Sequence, residues 1–150
     1  MQNAAHCWDP ADYAKHSQGQ ERWAKELLSL LALEPQESVL DIGCGDGRIT
    51  AEIAGMVPAG YVIGVDLSRE MVEHASEHYP ADKFPNLKFQ QADAAALPFV
   101  SEFDVVYSSA ALHWTRDHQS VLRGIARSLK APGRCVLQMG GKGCGAEVTS

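Results

Sequence analysis

Short apolar and β-branched runs alternate along this chain with segments whose apolar residues recur every three or four positions. Val39 to Ile42, Tyr61 to Val65, Leu87 to Gln90, Phe103 to Tyr107 and Arg134 to Met139 are the runs, bounded by Gly, Pro, Asp or Asn, and they read as strands. Between them Ile49, Ile53, Ala54 and Val57, then Met71, Val72, Ala75 and Tyr79, then Val121, Leu122, Ile125, Ala126 and Leu129 fall on single helical faces. Parallel strands need crossovers of this size, so the alternation predicts a parallel sheet with helices on both sides. Pro58, Pro80 and Pro132-Gly133 stand where the helices should stop, and Ser68 is placed to cap the second one. Leu27, Leu28, Leu30, Leu31 and Leu33 form an apolar helical face ahead of the first strand. Further upstream Trp8, Pro10, Tyr13 and His16 are too interrupted for a core element; the segment reads either as a lid over a ligand or as a weakly ordered terminus.

The expected fold is α/β: a doubly wound parallel sheet of order 3-2-1-4-5. Its crevice lies between the first and fourth strands, where ligands bind beyond the carboxyl ends. Gly43 to Gly47 follow the first strand, Asp66-Leu67-Ser68 the second, Gln91-Ala92-Asp93-Ala94 the third, and Ser108 to Trp114 the fourth. Every chemically suggestive group therefore falls at one edge of the sheet.

Val39-Leu40-Asp41-Ile42-Gly43-Cys44-Gly45-Asp46-Gly47 runs a buried strand into three alternating glycines. Glycines at that spacing bare the backbone where a ligand must lie against it and admit positive φ. Asp66 closes the next strand nineteen residues after Gly47, beside the turn, where a carboxylate can accept from the two hydroxyls of a ribose. The same Asp66 could instead only end a strand or cap a helix. A dinucleotide site wants a small residue at the sixth position from Gly43, which is Arg48 here. The phosphate loop of nucleoside triphosphatases, Gly-x-x-x-x-Gly-Lys-Ser/Thr, is absent from the chain.

One domain is the default for 150 residues. A formal net charge of −6 is a poor match to phosphate backbones, so nucleic acid is not the expected partner. No apolar run approaches a membrane span, and the first residues lack the apolar centre of a signal peptide; a cytoplasmic location is expected. Cys7, Cys44, Cys135 and Cys144 show no Cys-x-x-Cys pair, so free thiols are expected and no metal site. Cys44, before a helix N-terminus, either gains thiolate character there or is simply small enough for the loop; the second reading is preferred because no nucleophilic thiol is needed.

Asp41-x-Gly43-x-Gly45-x-Gly47 resembles the first motif of the class I, Rossmann-like S-adenosylmethionine-dependent methyltransferases. From about Trp8 to Gly141 the chain is similar to one branch of them, the trans-aconitate methyltransferases and malonyl-carrier-protein O-methyltransferases. Trp8-x-Pro10-x-x-Tyr13 with Ser17 and Gln20, Val65-Asp66-Leu67-Ser68, Gln91-Ala92-Asp93, and Ala110-Ala111-Leu112-His113-Trp114 with Asp117-His118 carry that similarity.

The resemblance implies S-adenosylmethionine as cofactor, S-adenosylhomocysteine as product, and a site residue by residue. The backbone of Gly43, Cys44 and Gly45 meets the methionine moiety, with Asp41 orienting the loop or reaching the ammonium through water. Asp66 takes the ribose hydroxyls, Leu67 and Met71 flank the adenine, and Asp93 accepts from its amine while the Ala94 N–H donates to its ring. The backbone at Ser108 and Ser109 faces the methionine tail. His113, Trp114 and Tyr13 position the acceptor, though a His-Trp pair opening a helix can equally be packing.

The implied reaction is O-methylation of a small carboxylic acid or an acyl-carrier substrate, with a cofactor-binding module lacking activity of its own as the alternative. The expected division is a lid and helix over residues 1–36, the cofactor-binding core over 37–141 and a tail over 142–150. The core is expected to lack the last two strands of the family. That leaves the fifth strand uncovered and open to a homodimer.

Overall fold

The apolar runs become neighbouring strands of one sheet. In a computed structural model, which describes residues 26, 28–109, 118–138 and 145–149, the strands are β1 (Ser38–Ile42), β2 (Tyr61–Asp66), β3 (Leu87–Gln91), β4 (Phe103–Ser109), β5 (Leu129–Gln138) and β6 (Gly145–Thr149). The helices are α1 (Arg48–Met56), α2 (Arg69–His78) and α3 (His118–Ser128), with a 3-10 turn over Ala94–Ala96. The sheet order is β3-β2-β1-β4-β5-β6. The first five strands pair in parallel, in the order the alternation predicts.

Strand alternation divides the core into two layers. Leu40 and Ile42 of β1, with Ile63 and Val65 of β2 and Val106 of β4, pack with Val121 and Ile125 of α3. Val39, Val62, Val105 and Tyr107 pack on the opposite face with Ile53, Ala54 and Val57. The helical turn at 28–31 joins this second layer through Leu28 and Leu31. Leu30 is 70% exposed, so the apolar face before β1 is narrower than its five leucines suggest. Ser68 caps α2 as expected, its Oγ accepting the Met71 N–H at 3.2 Å.

Two features depart from the sequence reading. Helix α3 stops at Ser128, and Pro132-Gly133 lie within β5. Phe103 is opposite Leu129 but Val105 is opposite Arg134, so β5 bulges between them. A bulge accommodates a residue without an N–H. The expected uncovered edge of β5 is also corrected, because β6 pairs with it antiparallel from Arg134↔Thr149 to Gln138↔Gly145. Pairing satisfies those backbone groups, so the ground for a dimer through β5 is gone; among the described residues the sheet edges are β3 and β6.

The amino ends of the strands are tied together by polar contacts. Arg134 donates to both Glu37 carboxylate oxygens at 2.8 Å and to the Leu31 carbonyl at 2.9 Å, fixing the connection into β1. The Arg134 guanidinium holds the Glu37 carboxyl below its ordinary range. Beside it the Ser38 N–H donates to Asp104 Oδ2 at 2.9 Å, and Lys130 lies 3.6 Å from the same oxygen.

Candidate cofactor site

The opposite, carboxyl edge of the sheet carries the glycine turn and the strand-end acids. After Ile42 the chain turns through Gly43, Gly45 and Gly47 at φ of 78°, 57° and 86°, values that side chains with a Cβ rarely adopt. The Gly43 and Cys44 N–H groups both donate to the Val65 carbonyl, at 2.8 and 2.9 Å, which pins the turn to the end of β2. The third glycine is required sterically as well. A Cβ on Gly47 would lie 2.8 Å from Phe89 Cζ and 2.9 Å from Ala75 Cβ, so its absence lets α1 start against β3 and α2.

Asp66 ends β2 with its carboxylate turned toward the loop. Oδ2 accepts the Gly45 N–H and Oδ1 accepts the Ser68 N–H, each at 2.9 Å. Burial pushes its carboxyl pKa up, and these two backbone bonds pull it partly back. Ala92, after β3, donates its N–H to the Asp66 carbonyl at 3.0 Å, and the Gln91 side chain donates to the Leu67 carbonyl at 3.1 Å. Ser108, buried near the end of β4, donates its hydroxyl to the Ile42 carbonyl at 2.9 Å. The ends of β1, β2, β3 and β4 thus form one hydrogen-bonded rim.

The expected adenine-side residues separate by exposure. Leu67 is 49% exposed on the rim, whereas Met71 is 2% exposed in α2. Only Leu67 presents an open apolar surface without rearrangement. Asp93 is exposed, with Oδ1 accepting the Ala95 N–H at 2.9 Å as cap of the 3-10 turn that Ala94 begins. Ser109 is the last residue of β4. Tyr13, His113 and Trp114 lie outside the described residues.

Cys44 is buried, and burial raises its thiol pKa well above the ordinary value, with Asp66 and Asp41 pushing the same way. Burial and these acidic neighbours disfavour the thiolate at Cys44. Among the described residues no group of three or more His, Cys, Asp or Glu side chains could hold a metal ion.

Asp41 is the most unusual group of the site. It lies in β1 on the α1 face, 3% exposed, and Oδ2 accepts the Thr50 hydroxyl at 2.7 Å. Burial raises its carboxyl pKa to about 7, against the lowering effect of the Thr50 hydrogen bond and reinforced by the charge of Asp66. Thr50, fully buried in α1, was not singled out in the sequence. Its signal was available, because Thr50 shares a helical face with Ile53 and Ala54, three and four positions on, and that face packs on the strand carrying Asp41. Gly64 was missed too. It is the register partner of Asp41, and a Cβ there would meet Thr50 Cγ2 at 2.9 Å, Cys44 Cβ at 3.0 Å and Phe89 Cδ1 at 3.1 Å.

These features fit a nucleoside ligand with an amino acid tail: a bare backbone turn, a carboxylate at the end of the next strand and a buried acid beneath the loop. A sequence model described as a methyltransferase domain matches residues 39–133. The chain belongs to the methyltransferase domain family. It is 34% identical over 132 residues to the trans-aconitate 2-methyltransferase of Deinococcus radiodurans, covering 88% of this chain and 49% of that protein. With the Methylobacterium radiotolerans enzyme of the same name it is 36% identical over 132 residues, covering 88% and 49%. The chain therefore spans about half the length of the curated relatives it matches.

The YcgJ protein of Bacillus subtilis superposes with a TM-score of 0.72 at 33% identity, over 79% of this chain and 50% of that one. A SAM-dependent methyltransferase from Aquifex aeolicus superposes at 0.76 and 21% identity, over 87% and 72%, which shows the shared fold. A Haemonchus contortus methyltransferase solved with S-adenosylhomocysteine superposes at 0.70 and 28% identity, over 77% and 28%. The cofactor of this methyltransferase domain is S-adenosylmethionine.

Proposed function

We propose that this methyltransferase domain serves O-methylation of a small carboxylic acid or an acyl-carrier substrate. The observation that carries the cofactor half is the rim: Gly45, Asp66, Ile42 and Ser108 are joined by direct hydrogen bonds at the carboxyl ends of three strands. The acceptor class is supported by the trans-aconitate 2-methyltransferases among the relatives, at 32 to 36% identity, and by the Leu112-His113-Trp114 string.

When bound, S-adenosylmethionine supplies a methyl group already activated by a sulfonium. The chain's own residues bind and align. Gly43, Cys44 and Gly45 offer backbone to the methionine moiety, and Asp66 offers its remaining lone pairs to the ribose hydroxyls. Leu67 gives the adenine an apolar face, with Met71 as the floor behind it. Asp93 retains Oδ2 for the adenine amine, and the Ala94 N–H donates to the ring. Ser108 and Ser109 wall the tail from β4, and Tyr13, His113 and Trp114 orient the acceptor. Alignment of this kind is worth about 7–11 kcal/mol of a barrier. A carboxylate acceptor is already ionised at neutral pH, so no protein base is required.

Turnover with small di- and tricarboxylic acids, followed by mass detection of methyl esters and of S-adenosylhomocysteine, tests this reading. Ester formation is the expected result. Cofactor binding without transfer to any of them would overturn the acceptor assignment and favour a cofactor-binding module.

A further inference from the structure

A buried carboxylate needs several donors or a cation to remain charged. Among the described residues, Asp41 has one donor, the Thr50 hydroxyl on Oδ2, and no cation is paired with it. The titratable groups around it are Cys44 in the loop and Asp66 at the end of β2, both of which oppose its charge or carry none. Tyr107 of β4 is its register neighbour. Among the described residues Asp41 therefore has no positive partner, two residues before the first glycine of the loop. On the cofactor reading above, the positive partner would be the ammonium of the amino acid tail.

We propose that cofactor binding at this site is coupled to release of a proton from Asp41, and that Thr50 is the positioning residue that sets the pH of that coupling. The proposal rests on the cofactor reading above and adds to it a linked proton and a residue outside the binding rim. Bringing an ammonium toward Asp41 favours its ionised form. A carboxyl protonated in the free protein must then lose its proton on binding. Burial holds the free carboxyl pKa near 7, so affinity should fall by up to about tenfold per pH unit below neutrality and level off above it. The Thr50 hydroxyl favours the ionised form. Removing it raises the free carboxyl further and moves the coupling to higher pH. The room for Thr50 comes from Gly64, against which its methyl group packs.

Calorimetric titration of the 150-residue chain with S-adenosylhomocysteine, in buffers of low and high ionisation enthalpy, counts the protons released on binding. At about pH 6 the wild type should release between about half and one proton more than Asp41→Asn, and above about pH 8 the two should agree. Subtracting Asp41→Asn removes the ligand's own amine from the comparison. Thr50→Val, with Thr50→Ala as second variant, should extend the release to higher pH, and Thr50→Ser should restore the wild-type profile. Equal release by wild type and Asp41→Asn at about pH 6 overturns the coupling. Superimposable profiles for wild type and both hydroxyl-free variants overturn the role of Thr50. Binding heat with no linked proton defeats this inference alone, whereas no binding heat from any of the proteins defeats the cofactor reading beneath it.

Discussion

Asp66 Oδ2 accepts the Gly45 N–H at 2.9 Å, so the acid at the end of β2 holds the glycine loop in shape as well as standing beside it. Its other oxygen takes the Ser68 N–H, which sets the start of α2. One carboxylate thus joins the loop after β1, the end of β2 and the next helix. Substituting it should affect both loop order and ligand affinity.

Asp66→Ala removes the charge-assisted acceptor of the proposed ribose site and frees the Gly45 N–H. Affinity for S-adenosylhomocysteine should fall by about 1.5–3 kcal/mol, the range for hydrogen bonds to a charged group. Titration calorimetry on the folded variant measures it, and an unchanged affinity removes Asp66 from the ribose role.

Gly64→Ala places a methyl group within 3.1 Å of Thr50, Cys44 and Phe89. Overpacking at such a site costs about 1–3 kcal/mol. Gly55 in α1 is the contrast, since a Cβ there meets nothing within 4 Å. Gly55→Ala should stabilise by about 0.5–1 kcal/mol through helix propensity. Urea denaturation of both variants should therefore give shifts of opposite sign; a destabilised Gly55→Ala or an indifferent Gly64→Ala would contradict the packing described.

The fold was legible because burial on both faces of a parallel sheet leaves continuous apolar runs, and crossover helices leave a period near four. Val39 to Ile42 and Tyr61 to Val65 were bounded to within a residue for that reason. The site was legible through glycine spacing and strand-end acids, both local signals. Thr50 was legible only as a member of the α1 face that carries Ile53 and Ala54, and Gly64 was not legible, because its importance lies in facing Asp41 and Thr50 across the sheet, a tertiary relation. The extension of β5 back to Leu129 was hidden for a similar reason. Pro132-Gly133 reads locally as a stop, and only pairing with β4 shows that it is a bulge.

Arg134 and Glu37 offer a test at the far edge of the sheet. The pair is bidentate and sheltered, with a further bond to the Leu31 carbonyl. Arg134→Met should destabilise the chain by about 1.5–3 kcal/mol, and Arg134→Lys should recover little because an ammonium cannot make the planar fork. Chemical denaturation checks both.

Stability against pH should carry two opposite signs. Glu37 and Asp104 have lowered carboxyl pKa values, so their contribution is present above the ordinary carboxylate range and is lost as pH falls through the folded values. Asp41, raised to about 7, acts the other way. Its protonated form favours the folded state, and that contribution is lost as pH rises from the ordinary carboxylate value toward neutrality. Thermal melts should show the wild type losing stability relative to Asp41→Asn over that rise; parallel curves would contradict the burial of an ionisable Asp41.

The most direct test is titration calorimetry of the chain with S-adenosylmethionine and S-adenosylhomocysteine at neutral pH, with Asp66→Ala alongside. Saturable binding of one ligand per chain, weakened by Asp66→Ala, is the predicted result. No saturable heat with either ligand up to about millimolar concentration, roughly −4 kcal/mol of binding free energy, would contradict the account.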